Sequence, residues 1–205
     1  MGKNKSVIVV VGGIIGLSTA YFLQKEGHQV TVLDKSNMDS GASYVNAGYI
    51  TPSHIVPLAS PGMISKGIKY MFNSSSPFYM KPRLDPEFIK WAWYFKKSST
   101  PEKVRKAMPV IMDINLLSRL LYEEIWDSGD LGEFHMERKG LLMMYQTKKE
   151  RDHEREVAER AKELGLTVHH LDLDGLRILE PHVELNAKGA FHYESDWHTT
   201  PHQIM

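Results

Sequence analysis

The sequence predicts an α/β protein whose first unit is a βαβ motif, and three features of its first 34 residues support that fold class. Val7–Val11 is an uninterrupted run of β-branched residues, which is typical of a parallel strand covered on both faces. Ile14–Lys25 has the pattern of a helix that ends near Gly27, and Gln29–Asp34 follows as the next strand. A right-handed crossover places two such strands side by side in one sheet.

After this motif the pattern changes to a long loop and then to helices and short strands. Residues 35–61 are rich in Ser, Gly, Asn and Pro, which predicts a loop that passes over a ligand cleft. Helical spacing predicts helices at 61–72, 85–97, 101–126, 148–164 and 172–179, with a further helix start at Pro201. Strands are predicted within 133–146, in two stretches around Gly140, and at 167–171 and 189–193.

The amino-acid composition limits the kinds of ligand and reaction that we expect for this protein. Twenty-five basic and twenty-five acidic side chains give a formal net charge of zero over 205 residues. No overall field therefore attracts nucleic acid or acidic lipid, and we expect the partner to be a small molecule. The chain contains no cysteine, which excludes disulfides and thiol nucleophiles, fits a reducing compartment and leaves redox chemistry to a bound cofactor.

Two further features imitate functional signals. His198 and His202 have a metal-like spacing, but Pro201 between them suits a helix start better, and we predict no metal site. The uncharged run Ser6–Leu23 follows two lysines, as in a signal peptide or a short membrane span. Three glycines within it and a strand directly after it favour a buried first strand. We therefore predict no transmembrane segment.

The turn after the first strand carries the signal of a dinucleotide site. Such a site needs close backbone approach to a pyrophosphate, a helix N-terminus aimed at it, and a carboxylate about twenty residues later for the ribose hydroxyls. Gly13, Gly16 and Asp34 meet these needs in order. The first glycine of the pattern is missing, because Val11 stands in its place and Gly12 follows. A β-branched residue resists positive φ, so Val11 is expected to weaken cofactor binding.

The loop after Asp34 continues the signal. The sequences Ser40-Gly41-Ala42-Ser43 and Asn46-Ala47-Gly48 offer small side chains, hydroxyls and backbone donors. These groups suit a pyrophosphate and a flat ring, although an ordinary flexible loop has the same composition.

At this point the sequence resembles the FAD-dependent D-amino-acid dehydrogenases, within the group that includes D-amino-acid, glycine and sarcosine oxidases. The resemblance rests on the stretches GGIIGLSTAYFLQKEGHQVTVLD, SGASYVNAGYITPSHIVPLASPG and SPFYMKPRLDPEFIKW, and on the later run ESDWHTTPHQIM. It implies an incomplete FAD-binding Rossmann-like domain followed by part of a mixed α+β substrate domain. The implied boundaries are 1–55 for the first part of the FAD domain, 56–198 for the helical segment and substrate domain, and 199–205 for the return to the FAD domain.

The resemblance also implies the residues that hold the cofactor. The glycine turn would meet the pyrophosphate, Asp34 and Lys35 the adenosine ribose, and the two loop motifs the phosphates and the flavin ring. His54 would lie toward the substrate, although we slightly favour a hydrogen-bonded loop histidine. The full cofactor-binding set is Gly12, Gly13, Ile14, Ile15, Gly16, Asp34, Lys35, Ser40, Ala42, Ser43, Asn46, Ala47 and Gly48.

The reaction that the resemblance implies is oxidative deamination of a D-amino acid, by hydride transfer from Cα to flavin N5. Electrons would then pass to a quinone or another acceptor, in the cytoplasm or peripherally at the inner face of the membrane. Family members continue well beyond Met205, and the rest of their fold grips the substrate, so no catalytic residue is assigned here. The 205-residue chain alone is expected to be inactive and prone to self-association.

Two alternatives stay open from the sequence. The first is a non-catalytic truncated fragment, or one subunit of a hetero-oligomeric flavoprotein, which the Val11 departure favours. The second is an amine oxidase of the same group that acts on glycine, sarcosine or a proline-type imino acid. Nothing in the residues separates a dehydrogenase from an oxidase.

Overall fold

A computed structural model describes residues 4–63, 67, 83 and 85–205. Most of the helix predicted at 61–72 lies outside these residues. The elements in chain order are β1 (Ser6–Val10), α1 (Ile14–Lys25), β2 (Gln29–Leu33), β3 (Tyr49–Ile50), α2 (Pro86–Ser98), α3 (Pro101–Ser128), β4 (Met136–Glu137), β5 (Leu141–Tyr145), α4 (Lys148–Glu163), β6 (Val168–Asp172), α5 (Leu173–Leu179), β7 (Gly189–Tyr193), β8 (Trp197–Thr199) and α6 (Pro201–Ile204).

The chain divides into two compact units. The first unit contains Met1–Ile50, Leu121–Lys139 and Trp197–Met205, and the second contains Thr51–Leu120 and Gly140–Asp196. The helix α3 runs from the second unit into the first. The domain boundaries at 55/56 and 198/199 concern a complete protein and stay a prediction. Within this chain, residues 121–139 group with the first unit because β4 pairs with β8.

The first unit begins with the predicted βαβ motif, which the structure confirms. Strands β1 and β2 pair in parallel, with Val7 opposite Val30 and Val9 opposite Val32. Gly27 takes a φ of +85° directly after α1, a conformation in which glycine meets no Cβ penalty, and this turn leads the chain into β2.

Two details of the strand prediction are wrong. Strand β1 ends at Val10, because Val11 leaves the extended conformation with a φ of +88°. The two-stranded sheet is also not covered on both faces within the described residues. Ile8, Val10 and Leu33 are each more than half exposed, whereas the alternate residues are half-buried. The β-branched run reports strand propensity, but coverage depends on what packs against the sheet.

A second, antiparallel sheet completes the first unit, in the order β3-β8-β4. Tyr49 lies opposite His198, and Met136 lies opposite Thr199. The short helix α6 follows β8 with Pro201 in its first turn, as the sequence predicts. Strand β8 itself is not predicted from the sequence, because its three residues are too few to show a period.

The second unit is built on the antiparallel sheet β5-β7-β6, with α4 packed against one face. Ala158 and Ala161 of α4 are fully buried beside Phe191 and Tyr193 of β7. A capping box begins α4, since Thr147 Oγ1 accepts a hydrogen bond from Glu150 N and the Glu150 carboxylate accepts one from Thr147 N. The remaining face of this charged helix is mostly exposed, as predicted.

A buried carboxylate joins two loops of the second unit. Asp196 is fully buried and accepts hydrogen bonds from Ser53 N, Ser53 Oγ and Ser195 Oγ. These donors replace the water that the charge loses on burial.

As for membrane spans, none of the helices in the described part of the chain is long and apolar enough to cross a bilayer.

Candidate functional site

The candidate site lies in the first unit, at the turn between β1 and α1. Val11 N donates to Leu33 O at 2.8 Å, which holds the end of β1 against β2. The turn itself falls on Val11, and Gly12 does not have a positive φ. Val11 therefore stands in the backbone conformation that the missing glycine would adopt, and its side chain is 59% exposed. This geometry excludes an arrangement in which Val11 ends the strand in extended form and Gly12 makes the turn.

Gly16 provides the close approach between α1 and the turn. A Cβ at this position would collide with the Val11 carbonyl oxygen, far inside van der Waals contact. Val9 Cγ1 would lie 3.4 Å from the same Cβ, which is ordinary contact, so the collision is with the Val11 backbone alone. The helix can pack this tightly only because residue 16 has no side chain.

Asp34 closes the turn from the end of β2. One carboxylate oxygen accepts a hydrogen bond from Gly12 N at 2.7 Å. The other accepts hydrogen bonds from Ser36 N at 2.8 Å and from Ser36 Oγ at 2.6 Å. The hydrogen bond from Gly12 N contributes most to lowering the pKa of Asp34 to about 2, followed by those from Ser36. Since its folded pKa lies below the ordinary value, the carboxylate is ionised at neutral pH and its hydrogen bonds are lost only in strong acid.

The N-terminus of α1 opens beside this turn. Its N-cap is Gly13, whose missing side chain supplies no cap, and its first turn contains no acidic residue. Ser43 Oγ accepts the Ile14 N–H at 3.1 Å from the neighbouring loop. The positive end of the helix dipole is therefore met by small, neutral groups, which leaves its electrostatic preference for an anion intact.

The loop Asn46–Gly48 is held by its own side chain and by β8. Asn46 Nδ2 donates to Ala42 O and Ser43 O, and Asn46 Oδ1 accepts Gly48 N. Gly48 O accepts Thr199 N at 2.8 Å. Gly48 has a φ of +69°, and a Cβ there would collide with the Thr199 carbonyl. Only glycine satisfies both conditions without strain.

These segments surround a cavity of about 170 Å³. Four residues of the predicted set line it, namely Ile14, Ser43, Asn46 and Gly48. The sequence analysis missed the other lining residues, which are Tyr49, Ile50, Tyr122, Thr199, Pro201 and Ile204. Burial raises the pKa of the Tyr122 hydroxyl, which keeps its proton at neutral pH. Tyr49 and Ile50 lie in the stretch SGASYVNAGYITPSHIVPLASPG, and Thr199, Pro201 and Ile204 lie in the run ESDWHTTPHQIM, so the resemblance was their only sequence signal. Tyr122 had no sequence signal.

The rest of the predicted set is distributed around the cavity without lining it. Gly12, Gly13, Gly16 and Asp34 form the turn described above. Lys35, Ser40, Ala42, Ala47 and Ile15 are exposed on the same unit. His54 is exposed and belongs to the second unit, where it lines a different cavity of about 260 Å³. The roles of all these residues toward a cofactor stay predictions.

The residues of this site fit the dinucleotide that the resemblance implies. The α1 N-terminus supplies donors for a pyrophosphate, and Asp34 has lone pairs beyond the three that it uses. The neutral cavity beside Asn46 and Gly48 has the polar and apolar lining that a ring needs. Among the residues of this turn, Val11 is the one that does not suit the binding of a dinucleotide.

Comparison with known proteins shows the family to which this chain belongs. The profile of the DAO family, described as FAD dependent oxidoreductase, matches residues 6–205. A D-amino acid dehydrogenase from Methylobacterium nodulans is 31% identical over 186 residues, which is 90% of this chain and 44% of the relative. D-amino acid dehydrogenase 2 from Ralstonia nicotianae is 32% identical over 190 residues, which is 90% of this chain and 43% of the relative.

Solved structures show the same fold. Glycine oxidase from Geobacillus kaustophilus superposes with a TM-score of 0.64 at 18% identity, covering 98% of this chain and 42% of the oxidase. L-α-glycerophosphate oxidase from Mycoplasma pneumoniae, solved with FAD bound, superposes with a TM-score of 0.58 at 19% identity, covering 100% of this chain and 41% of that protein. The chain thus spans less than half the length of the proteins that it matches.

Proposed function

This chain belongs to the DAO family of FAD-dependent oxidoreductases, and from that premise we propose that it forms the FAD-binding part of a D-amino-acid dehydrogenase. The observation that carries the proposal is the match to two proteins named D-amino acid dehydrogenase, each over 90% of this chain. The structural neighbours include oxidases of glycine and of L-α-glycerophosphate, and at under 25% identity they support the fold alone.

The proposed reaction removes two electrons and two protons from a D-amino acid. When bound, FAD supplies the two-electron acceptor, at N5, for the hydride that leaves Cα. The resulting imino acid reacts with water to give a 2-oxo acid and ammonia. The name dehydrogenase points to an acceptor other than oxygen, and we propose a quinone or a similar carrier.

The residues of this chain would bind and orient the cofactor. Backbone donors at the α1 N-terminus would hold the pyrophosphate, with Ser43 beside them. The Asp34 carboxylate would accept hydrogen bonds from the ribose hydroxyls and would retain the hydrogen bond from Gly12 N. Asn46 and Gly48 would border the ring, where the hydrogen bonds of the loop fix the backbone before any ligand arrives.

We expect the nucleotide released from the denatured protein to be FAD and not NADP. The ionised Asp34 would repel a phosphate on the 2′ position, whereas it accepts hydrogen bonds from free ribose hydroxyls. Chromatography of the released nucleotide checks this. Asp34→Ala should lower the FAD recovered, and Asp39→Ala, an exposed acid of the same loop, should not. Recovery of NADP would contradict the proposal.

A non-catalytic role is the second candidate, and the positive φ of Val11 favours it. A β-branched residue is strained in this conformation, and its exposed side chain would crowd a pyrophosphate at the turn. The visible spectrum of the purified protein separates the two candidates, because bound oxidised flavin is yellow and a protein without flavin is colourless.

We expect the 205-residue chain by itself to show little or no dye-linked oxidation of D-amino acids, and to self-associate. Within the described residues, Ile8, Val10 and Leu33 leave an apolar sheet face open, and neither outer edge of the β1–β2 pair is paired with another strand. Turnover assays with D-alanine and light scattering at several concentrations test this. Robust turnover by a monomer whose mass corresponds to residues 1–205 would contradict it.

A further inference from the structure

Tyr122 lies at the wall of the candidate-site cavity, on a helix that the sequence motifs do not mark. It belongs to the part of α3 that groups with the first unit, and its side chain borders the cavity of about 170 Å³. Ile125, one turn further along α3, is buried. Residues three apart share a face of a helix, so Tyr122 lies on the face of α3 that packs into the unit. Packing therefore orients its half-buried ring before any ligand binds.

The Tyr122 hydroxyl has no hydrogen-bond partner among the residues that the structure describes. Burial is the cause of its raised pKa, without any contribution from a hydrogen bond. The hydroxyl oxygen is not fully enclosed, and the open space that Tyr122 borders is the cavity. A buried tyrosine hydroxyl usually has a partner, and one without a partner costs free energy. The missing partner is therefore expected inside the cavity.

The other polar side chains of this cavity do not need a ligand in the same way. Asn46, Ser43 and Thr199 already bond through their side chains to backbone groups of the first unit. Tyr49 is 62% exposed, so water can satisfy its hydroxyl. Within the described lining, the Tyr122 hydroxyl is thus the polar group whose hydrogen bond a ligand must complete.

We propose that Tyr122 binds the flavin ring, by donating a hydrogen bond from its hydroxyl to an acceptor atom of the ring. This inference rests on the proposed function, in which Asn46 and Gly48 border the ring in the same cavity. The neutral hydroxyl is a donor, and the ring nitrogens and carbonyl oxygens of a flavin are acceptors. A reduced flavin ring carries more negative charge than an oxidised one, so the same hydrogen bond also favours reduction.

The test compares the full wild-type chain with Tyr122→Phe, which removes the hydroxyl and keeps the ring. In a fluorescence titration, we expect the variant to bind FAD about fivefold more weakly, the effect of one neutral hydrogen bond. The midpoint potential of the bound flavin should fall. Binding of ADP, which has the pyrophosphate and the adenosine but no flavin ring, should not change. Without ligand, the variant should unfold at the same or a higher temperature, because the hydroxyl has no partner to lose.

The matched control is Tyr44→Phe, which removes the same group from a half-buried tyrosine of the same unit. The Tyr44 ring centroid lies 5.9 Å from that of His202, and Tyr44 does not line the cavity. This variant should leave FAD binding and the potential unchanged.

Three results would overturn the inference: equal FAD affinity for wild type and Tyr122→Phe, an equal loss of affinity for FAD and ADP, or a lower unfolding temperature of the ligand-free variant. The last result would mean that the hydroxyl supports the fold. A wild-type chain that takes up no FAD would instead contradict the proposed function, and the unfolding temperature would still test Tyr122.

Discussion

Gly16→Ala is expected to lower the affinity for FAD about 100-fold and to destabilise the first unit by about 2–3 kcal/mol. The new Cβ would collide with the Val11 carbonyl oxygen, which is backbone and cannot rotate away as a side chain would. The N-terminus of α1 must then move away from the strand, and the donors for the pyrophosphate move with it. Flavin fluorescence titration gives the affinity, and thermal unfolding should show a fall in Tm on the order of 5 °C.

The chain contains a closely matched control for this substitution. Gly175 is the third residue of α5 after its N-cap Asp172, just as Gly16 is the third residue of α1 after Gly13. A Cβ at Gly175 meets its nearest neighbour, Asp172 Oδ1, at 3.4 Å, which is ordinary contact. Gly175→Ala should therefore keep or raise stability, because alanine favours a helix by up to about 1 kcal/mol over glycine. If both substitutions behave alike, close packing at Gly16 does not support the site.

Val11→Gly is expected to raise the affinity for FAD between about tenfold and 100-fold. A β-branched residue at a φ of +88° costs on the order of 1–3 kcal/mol, and its exposed isopropyl group would crowd the pyrophosphate that we propose at this turn. Glycine removes both obstacles. FAD titration of this chain, and of a longer protein that carries it, measures the change.

Two further variants separate strain from crowding. Val11→Ala removes the isopropyl group but keeps a Cβ at positive φ, so affinity equal to that of Val11→Gly identifies crowding as the cause. A smaller gain for alanine identifies backbone strain. Val10→Gly is the control, because it changes the neighbouring strand residue and should lower stability without raising affinity. Equal dissociation constants for wild type and Val11→Gly would mean that Val11 is tolerated.

The sequence pattern was sufficient to predict those helices and turns whose structure depends on residues close together in sequence. The helix α1 has its predicted bounds because its residues favour a helix and Gly27 ends it. The helix α4 begins at a capping box, whose two hydrogen bonds join residues three apart. The glycines and Asp34 could be assigned to one turn because a βαβ crossover brings the end of β2 beside the start of α1. In each case the physical cause lies within a short stretch of sequence.

Tertiary structure alone decided the features that depend on distant residues. Tyr122 borders the same cavity as Asn46, although nothing near it in sequence marks it as a site residue. Strand β8 exists because it pairs with β3 and β4, which come from other parts of the chain. The positive φ of Val11 accompanies its hydrogen bond to Leu33 O and the close approach of its carbonyl to Gly16, and both partners are distant in sequence or on another element.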